Sequence, residues 1–388
     1  MKRSIEDVLS RHENETVKVE TTIKVEPPKT EQVTKVAEDD ANQQTGGHQL
    51  NAYIFQNDYC SVPSHPIIIA ASKAMQDERS WQAGNSLKHY SERVRSGRAE
   101  IAIGFLGSNV EDIMHDLAKM DDLSIDVFIL AITQWLYSAR SANESVLIEV
   151  DKILKYRDIQ PKVKDGYSAG YRENERCKVV DAFELLDKMY VRASNIKVYQ
   201  KGKKPREATL ESKVLAITDR IAENGEIKAF KVVPGSYGEM LYGFDRRQTA
   251  MLCRKIVEYD YYRNKFEKRL GFYLTFQWAI RRTHGALDKS FRVSTILERI
   301  SMKLNERNPQ RTKERLEKAF DKLLEDGVIT SWSYSEGPNI KPGENGWAAT
   351  WLNSKVNFGV PAVIKEQYAA IAENSQQIRA KMKGKVRK

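Results

Sequence analysis

Cysteine is scarce in this chain. Its 388 residues include only Cys60, Cys177 and Cys253, which are odd in number, lie far apart and form no C-x-x-C pair. This usage argues against a disulfide framework and favours a reducing compartment, so we expect a cytoplasmic protein. Long apolar runs are also lacking, and the longest fall well short of the ~20 residues of a membrane span. Charged Glu6-Asp7 stand where a signal peptide would have its apolar core, so neither a signal peptide nor a membrane partner is expected.

The sequence also lacks the motifs of common nucleic-acid enzymes. It has no G-x-x-x-x-G-K-[ST], and its six histidines form neither His-x-His nor H-E-x-x-H. A P-loop ATPase and a metal-dependent nickase are therefore unsupported. His284 is interpreted as a surface or helix-end residue, and Tyr259, Tyr261 and Tyr262 as core or interface residues. We expect no catalysis, no cofactor and no metal. A nucleic-acid enzyme with an unrecognised site and a structural or assembly protein remain alternatives.

Charge divides the chain unevenly. Residues 1–50 hold seven basic and ten acidic residues and almost no aromatic ones, a composition that predicts a disordered acidic tail. The remaining residues hold 56 basic and 43 acidic groups, a net charge of +13. The last ten residues, 379–388, contain no acidic residue and form a basic tail. This balance favours a polyanionic partner without specifying which one.

A helix with clear signals at both ends is predicted from Asn308. Asn308 is a suitable N-cap, Pro309 fits the first helical position, and Gly327 ends the run before a strand that begins at Val328-Ile329. One apolar stripe has helical spacing: Leu316, Ala319, Phe320, Leu323 and Leu324. The other face carries Arg311, Arg315 and Lys318, which is typical of a recognition helix and also of an ordinary solvated surface helix.

Further elements are predicted on both sides of a junction near residue 234. The first half reads as helix 123–139, strand 146–148, helix 152–156 capped by Asp151, helix 172–188, strands 191–199 and 210–221, and a hairpin at Asn224-Gly225 that leads into strand 226–233. The second half reads as a helical region from 245 to about 282, a helix capped by Ser294 that runs to 302, the helix that begins at Asn308, strands 330–335 and 347–352, and a final helix from about 363. Residues 51–98 are left as a linker or appendage.

The two halves resemble each other. Gln134-Trp135 matches Gln277-Trp278, and the run VDKIL at 150–154 matches VSTIL at 293–297, both at an offset of 143 residues. At an offset of 137, Ala182-Phe183, Leu186 and Val191 match Ala319-Phe320, Leu323 and Val328. Each half then reads helix, short strand, helix, loop, helix, hairpin, which is the element order of a winged helix-turn-helix.

On these runs the chain resembles the theta-type plasmid replication initiators, which carry two winged-helix domains and bind repeated origin sequences (iterons). The resemblance covers roughly residues 100–335 and rests on VLIEVDKILKY and GYRENERCKVVDAFELLDKMYV in the first half and on RVSTILERI and NPQRTKERLEKAFDKLLEDGVI in the second. It implies binding of double-stranded DNA at origin repeats, origin opening, and recruitment of host proteins such as an initiator, a helicase or a sliding clamp. A homodimer is a further implication. The segment Gln49-Leu50 with Ile54-Phe55 distantly resembles a clamp-binding peptide, although an ordinary strand is the favoured interpretation.

The resemblance also implies a set of DNA-contacting residues. The second unit would use Arg311, Glu314, Arg315 and Lys318, the first unit Arg172, Asn174, Glu175 and Lys178, and a basic wing Lys203, Lys204 and Arg206.

The expected fold is therefore α+β, with a disordered tail at 1–50, a linker or appendage at 51–98, winged-helix domains at 99–234 and 235–360, and a basic C-terminal helix and tail at 361–388. The expected function is a non-enzymatic, nucleoid- or plasmid-associated replication initiator. A winged-helix transcriptional regulator that represses its own gene is the alternative.

Overall fold

The computed structural model is of mixed α+β class. It describes residues 54–56, 58–76, 87–94, 97–105, 120–164, 167–168, 170–198, 206–242, 249–282, 285–336, 344 and 346–373. The two tails predicted from composition lie outside these residues, as does His284.

The N-terminal part of the described chain is a strand, a buried helix and a hairpin. Strand β1 is Tyr59–Pro63, helix α1 is Pro66–Gln76, and strands β2 and β3 are Leu87–Val94 and Gly97–Phe105. Helix α1 is apolar on nearly every side, and Ile67, Ile68, Ala70 and Ala74 are at most 1% exposed. A helix that is apolar all round must be buried within the protein.

The helices predicted at 123–139, 152–156 and 172–188 are present and belong to what we call the first helix set. Helix α2 is Asp122–Ser138, β4 is Val146–Glu149, α3 is Val150–Tyr156, β5 and β6 are the short strands Val163–Lys164 and Tyr167–Ser168, and α4 is Glu173–Lys188. Asp121 caps α2, because its carboxylate accepts hydrogen bonds from the backbone N–H groups of Leu123 and Ser124 at 2.9 and 3.2 Å. The prediction that Asp151 caps α3 is wrong. The N-cap is Glu149, without a side-chain cap, and Asp151 lies inside the first turn with its carboxylate bound to Arg176.

Four strands follow α4: β7 is Met189–Val198, β8 is Arg206–Lys213, β9 is Leu215–Glu223 and β10 is Glu226–Pro234. The single strand predicted at 210–221 is thus two strands separated at Val214. Strand β8 ends a four-stranded sheet of order β2-β3-β7-β8, whereas β9 belongs to a three-stranded sheet of order β4-β10-β9. The Asp187 carboxylate stabilises the chain where β8 ends and β9 begins. It accepts hydrogen bonds from Lys213 Nζ at 2.7 Å and from the Ile217 N–H at 2.9 Å.

The predicted hairpin between β9 and β10 is confirmed. Asn224 and Gly225 have φ angles of 52° and 81°. Two successive positive φ angles are what a tight turn matched to the strand twist requires, and Asn-Gly supplies them at little cost.

The long helix predicted from 245 to 282 is wrong in its first part. The chain instead forms α5 (Gly238–Tyr242), strand β11 (Thr249–Cys253), α6 (Arg254–Glu258) and then α7 (Lys265–Arg282). Strand β11 pairs antiparallel with β1. Its four buried residues from Ala250 to Cys253 form a short continuous apolar run, which has no periodicity to distinguish a strand from a helix.

The second helix set begins with α7 and continues with β12 (Phe291–Arg292), α8 (Val293–Arg299), α9 (Pro309–Glu325), β13 (Trp332–Glu336), α10 (Trp347–Asn353) and β14 (Lys355–Phe358). Its strands form a sheet of order β12-β14-β13. Ser294 is not the cap of α8, since the N-cap is Arg292. Val328 and Ile329 lie buried in the turn after α9, before β13 begins. The predicted strand 347–352 is helix α10, because Trp347 and Trp351 are four residues apart and bury one stacked face.

A last helix, α11, runs from 362 to 373. The Tyr368 hydroxyl accepts from the Met251 N–H at 3.2 Å, and the Arg282 guanidinium lies 4.6 Å from the Tyr368 ring. These contacts attach α11 to β11 and α7. One hydrophobic core extends through both helix sets and α1. The predicted domain boundaries stay predictions.

Candidate nucleic-acid interface

The two helix sets repeat one element order. Each has a long helix (α2, α7), a short strand (β4, β12), a short helix (α3, α8), a third helix (α4, α9) and two closing strands (β9 and β10, β13 and β14). In both sheets the last strand pairs with the other two. Helices α4 and α9 therefore occupy equivalent positions, as the internal sequence match predicts.

Helix α9 is fixed by its cap and its inner face. The Asn308 side chain accepts from the Arg311 N–H at 3.3 Å, and Pro309 occupies the first position, as predicted. Leu316, Ala319, Phe320 and Leu323 are completely buried, and Phe320 packs against the rings of Trp332 and Phe358 at 5.1 Å each. Leu324 is 40% exposed, so its assignment to the buried stripe is wrong. Thr312 is buried instead, with its Oγ1 accepting from the Asn305 N–H at 2.9 Å.

The outer face of α9 carries the four residues predicted to contact DNA. Arg311, Glu314, Arg315 and Lys318 are all exposed, and their spacing places them on one side of the helix. Arg311 and Lys318 have no ion-pair partner among the described residues. Glu314 accepts from Gln310 Nε2 at 3.0 Å, and the Arg315 guanidinium lies 4.3 Å from the centre of the Phe266 ring. The face is therefore cationic, with one acceptor in its middle.

The outer face of α4 is partly neutralised. Arg172 is the N-cap residue of α4, and both it and Asn174 are exposed. Lys178 and Glu175 form an ion pair at 3.2 Å, so their opposite charges offset each other. The Lys178 ammonium also lies 5.8 Å from the centre of the Tyr261 ring. These four residues share the N-terminal half of the helix, as predicted, but Arg172 is the only cation among them that lacks an ion-pair partner among the described residues.

Sequence reasoning missed Arg176, which orients α4. Its guanidinium binds both oxygens of Asp151 at 2.7 Å and approaches Glu226 at 3.8 Å. The hydrogen bonds to Asp151 are the main cause that raises the pKa of Arg176. One side chain thus links α4 to α3 and to β10. Its sequence signal was weak, because an Arg on a polar helix face has no feature that separates it from its neighbours.

An open cleft of about 410 Å³ lies beside the N-terminal half of α4. Its basic lining residues are Arg157, Arg172, Lys178 and Arg263; its acidic ones are Glu175 and Asp260; and its aromatic ones are Tyr261 and Tyr262. The turn that supplies Asp260 to Arg263 joins α6 to α7, so both helix sets contribute to the cleft. The interpretation of the neighbouring Tyr259 as a core residue is confirmed, since it is buried and its hydroxyl donates to Asp326 at 2.8 Å.

A buried ionic cluster joins the first helix of one set to that of the other. Asp122 on α2 pairs with Arg269 on α7 at 2.8 Å, and Asp126 pairs with Lys268 at 2.9 Å and with Arg157 at 3.0 Å. These side chains are at most 2% exposed. Burial raises the pKa of both carboxyls, and the neighbouring cations oppose that rise. Asp122 lies in the first turn of α2, and its carboxylate also holds α7 through Arg269.

The predicted wing residues lie only partly within the described chain. Lys203 and Lys204 are outside it, and Arg206 begins β8. Their loop joins β7 to β8 in the four-stranded sheet, whereas the hairpin equivalent to β13 and β14 is β9–β10. Their contacts with DNA stay predictions.

The segment compared with a clamp-binding peptide is mostly buried where the structure describes it. Gln49 and Leu50 lie outside the described residues, and Ile54 and Phe55 are 2% and 4% exposed. The Phe55 ring packs edge-on against Tyr156 at 5.7 Å, which ties this segment to α3.

The described ranges contain no group of three or more His, Cys, Asp or Glu side chains placed to hold a metal ion. Within the same ranges, no helix has both the length and the apolar character that crossing a bilayer requires.

The chain aligns with two solved structures of RctB. The first, of selenomethionine derivatives of RctB domains 2 and 3, is 12% identical, with a TM-score of 0.40, and the match covers 74% of this chain and 97% of that one. The second, of RctB domains 2–3 (residues 155–483), is also 12% identical with a TM-score of 0.40, and covers 71% and 92%. No protein-family model and no curated protein matches. Overlap at this level carries no conclusion about function.

Proposed function

We propose that this chain is a sequence-specific, double-stranded DNA-binding replication initiator built on two winged helix-turn-helix units. It binds origin repeats, promotes origin opening and recruits host replication proteins, without catalysing a reaction itself. The observation that carries the proposal is the repeated element order, in which α4 and α9 stand at equivalent positions. Arg172 is an exposed cation at the start of α4, and Arg311 and Arg315 are exposed cations on the N-terminal half of α9.

The chemistry of α9 suits the major groove of DNA. Its 17 residues span roughly 25 Å at 1.5 Å per residue, and the groove admits one α-helix. Arg311 and Arg315 can each bind a guanine edge or a phosphate, Lys318 can bind a phosphate, and Glu314 can accept from a cytosine amino group. The N-terminal end of the helix also favours a phosphate, since its dipole is positive there.

The arrangement of the two units favours repeated sites. The buried ionic cluster holds α2 against α7, so the helices that support the two candidate recognition helices are joined. A protein of this kind reads two separate groove segments with one chain. That property suits direct repeats, and it does not by itself distinguish an initiator from an autorepressor.

Binding measurements with variants test the proposal. A duplex selected from a random pool by the wild-type chain is titrated with wild type, with Arg311→Ala and with Lys322→Ala. Lys322 is a matched control on α9, because it is engaged with Glu325 at the far end of the helix. Arg311→Ala should cost about 1–3 kcal/mol and relax the preference at one base position, while Lys322→Ala should have no effect. Failure of the wild-type chain to select any sequence would contradict the proposal.

A further inference from the structure

The turn between α6 and α7, together with the first residues of α7, contacts both candidate recognition helices. Its Tyr261 ring receives the Lys178 ammonium of α4 at 5.8 Å, and five residues later the Phe266 ring receives the Arg315 guanidinium of α9 at 4.3 Å. Lys178 and Arg315 are equivalent residues of the internal repeat, 137 positions apart. Each helix therefore directs one cation to an aromatic ring of the same short segment.

Hydrogen bonds to Asp260 hold this turn. The Asp260 carboxylate accepts from the backbone N–H groups of Tyr262 and Arg263 at 2.9 and 2.7 Å, and the Asn264 N–H donates to the Asp260 carbonyl at 2.9 Å. Burial alone would raise the pKa of Asp260, but these backbone donors and the nearby guanidinium groups lower it. The acceptor that fixes the turn is therefore charged at neutral pH.

The tip of the turn presents two side chains to solvent. Tyr262 is 83% exposed, the largest exposed fraction among the described large hydrophobic residues. Arg263 is exposed and has no ion-pair partner among the described residues. A tyrosine this exposed buries little of its ring in the folded chain, so its contribution to stability is small.

The charge around the tip is complementary to a phosphate backbone. Of the two carboxylates in the cleft, Glu175 is paired with Lys178, and Asp260 is occupied by backbone donors. The guanidinium groups of Arg172 and Arg263 both line the cleft and remain available to a ligand. Arginine and tyrosine side chains are common donors to phosphate and sugar oxygens in protein–DNA complexes.

We propose that the turn at 260–264 is a third DNA contact, in which Arg263 binds a backbone phosphate and Tyr262 packs against the deoxyribose between the segments read by α4 and α9. This inference rests on the proposed function and adds a contact that carries no sequence preference. Its role is to hold the duplex in register against both helices.

Two exposed residues elsewhere provide matched controls for the test. Tyr262→Ala and Arg263→Ala are compared with Tyr137→Ala, whose tyrosine is 49% exposed on α2, and with Arg192→Ala on β7. Each variant is titrated against the selected duplex and against an unrelated duplex of the same length, at several salt concentrations. Thermal unfolding of each variant checks that the fold is retained.

Tyr262→Ala and Arg263→Ala should weaken binding to both duplexes by the same factor, about three- to thirty-fold. Arg263→Ala should also reduce the slope of log K against log salt by about one. In a hydroxyl-radical footprint, each variant should lose protection only between the two groove segments. The controls should match wild type.

Wild-type affinity, salt slope and footprint in both variants, alongside weakened binding by Arg311→Ala, would overturn this inference and leave the proposed function standing. Variants that lost a protein partner and kept DNA binding would overturn it as well, again without affecting the proposed function. If the wild-type chain selects no sequence, the proposed function fails, and this inference fails with it.

Discussion

His65 is a buried histidine immediately before α1, and its environment suits only the neutral ring. It is 9% exposed, and its Nδ1 accepts from the Ile67 N–H at 3.3 Å. Burial lowers its pKa to about 4 from the ordinary value of 6.5. Protonation would place a charge in the core and remove the acceptor of that hydrogen bond, so folding and protonation oppose each other.

This histidine predicts a loss of stability in acid. Because its pKa is lower in the folded state, its contribution is complete above pH 6.5 and is lost as the pH falls from 6.5 towards 4. The loss should reach about 3 kcal/mol at pH 4, at 1.36 kcal/mol per pKa unit. Urea unfolding of wild type and His65→Gln at pH 7 and pH 4.5 measures it. Wild type should lose more stability between pH 7 and pH 4.5 than His65→Gln does. Equal losses of stability would show that His65 is not responsible.

Among the secondary-structure elements, those with local signals were predicted and those without them were missed. The cap at Asn308, the stripe ending at Leu323 and the Asn224-Gly225 turn each follow from residues close together in sequence. Strand β11 and helix α10 were missed because one is a short apolar run and the other a short aromatic segment, and periodicity is ambiguous over so few residues.

The contact between helices α6 and α7 depends on Gly271. A Cβ built at this position would lie 2.6 Å from Cγ1 of Ile256. The missing side chain therefore allows α6 to lie directly against α7, and it explains why a glycine occupies the middle of an 18-residue helix.

Gly271→Val should separate α6 from α7 and cost about 1–3 kcal/mol of stability, because overpacking a dense core forces its neighbours apart. Chemical denaturation of the variant tests this expectation. The matched background is Ile256→Ala, which removes the atoms that the new side chain would meet. In the Ile256→Ala background, Gly271→Val should lower stability clearly less than in wild type. An equal loss of stability in both backgrounds would show that the strain does not arise at Ile256.

At the scale of the whole molecule, the two helix sets are held together by contacts that the sequence does not reveal. Asp122 and Arg269 are 147 residues apart, and β1 pairs with β11 across nearly 200 residues. Neither contact leaves a local pattern, so sequence reasoning predicted two units and not how they join. The same limit applies to the candidate site: the exposed faces of α4 and α9 were predicted, but the cleft that adjoins α4 was not.

The buried ionic cluster predicts a large and specific effect on stability. Asp126→Ala would leave Lys268 and Arg157 buried without their carboxylate, which should cost about 3–5 kcal/mol. Glu325→Ala, which breaks the exposed pair with Lys322, should leave stability nearly unchanged, because solvent screens such a pair. Urea unfolding monitored by tryptophan fluorescence compares the two variants. Similar small effects in both would mean that the cluster does not hold the helix sets together.

A footprint of the purified chain on the DNA that flanks its own gene tests the central claim most directly. A replication initiator with two recognition helices should protect a ladder of evenly spaced sites. Each site should show two major-groove segments separated by about one helical turn, 10–10.5 base pairs, or a multiple of it. A single protected operator would favour an autorepressor instead. The absence of any sequence-preferring protection would contradict the account.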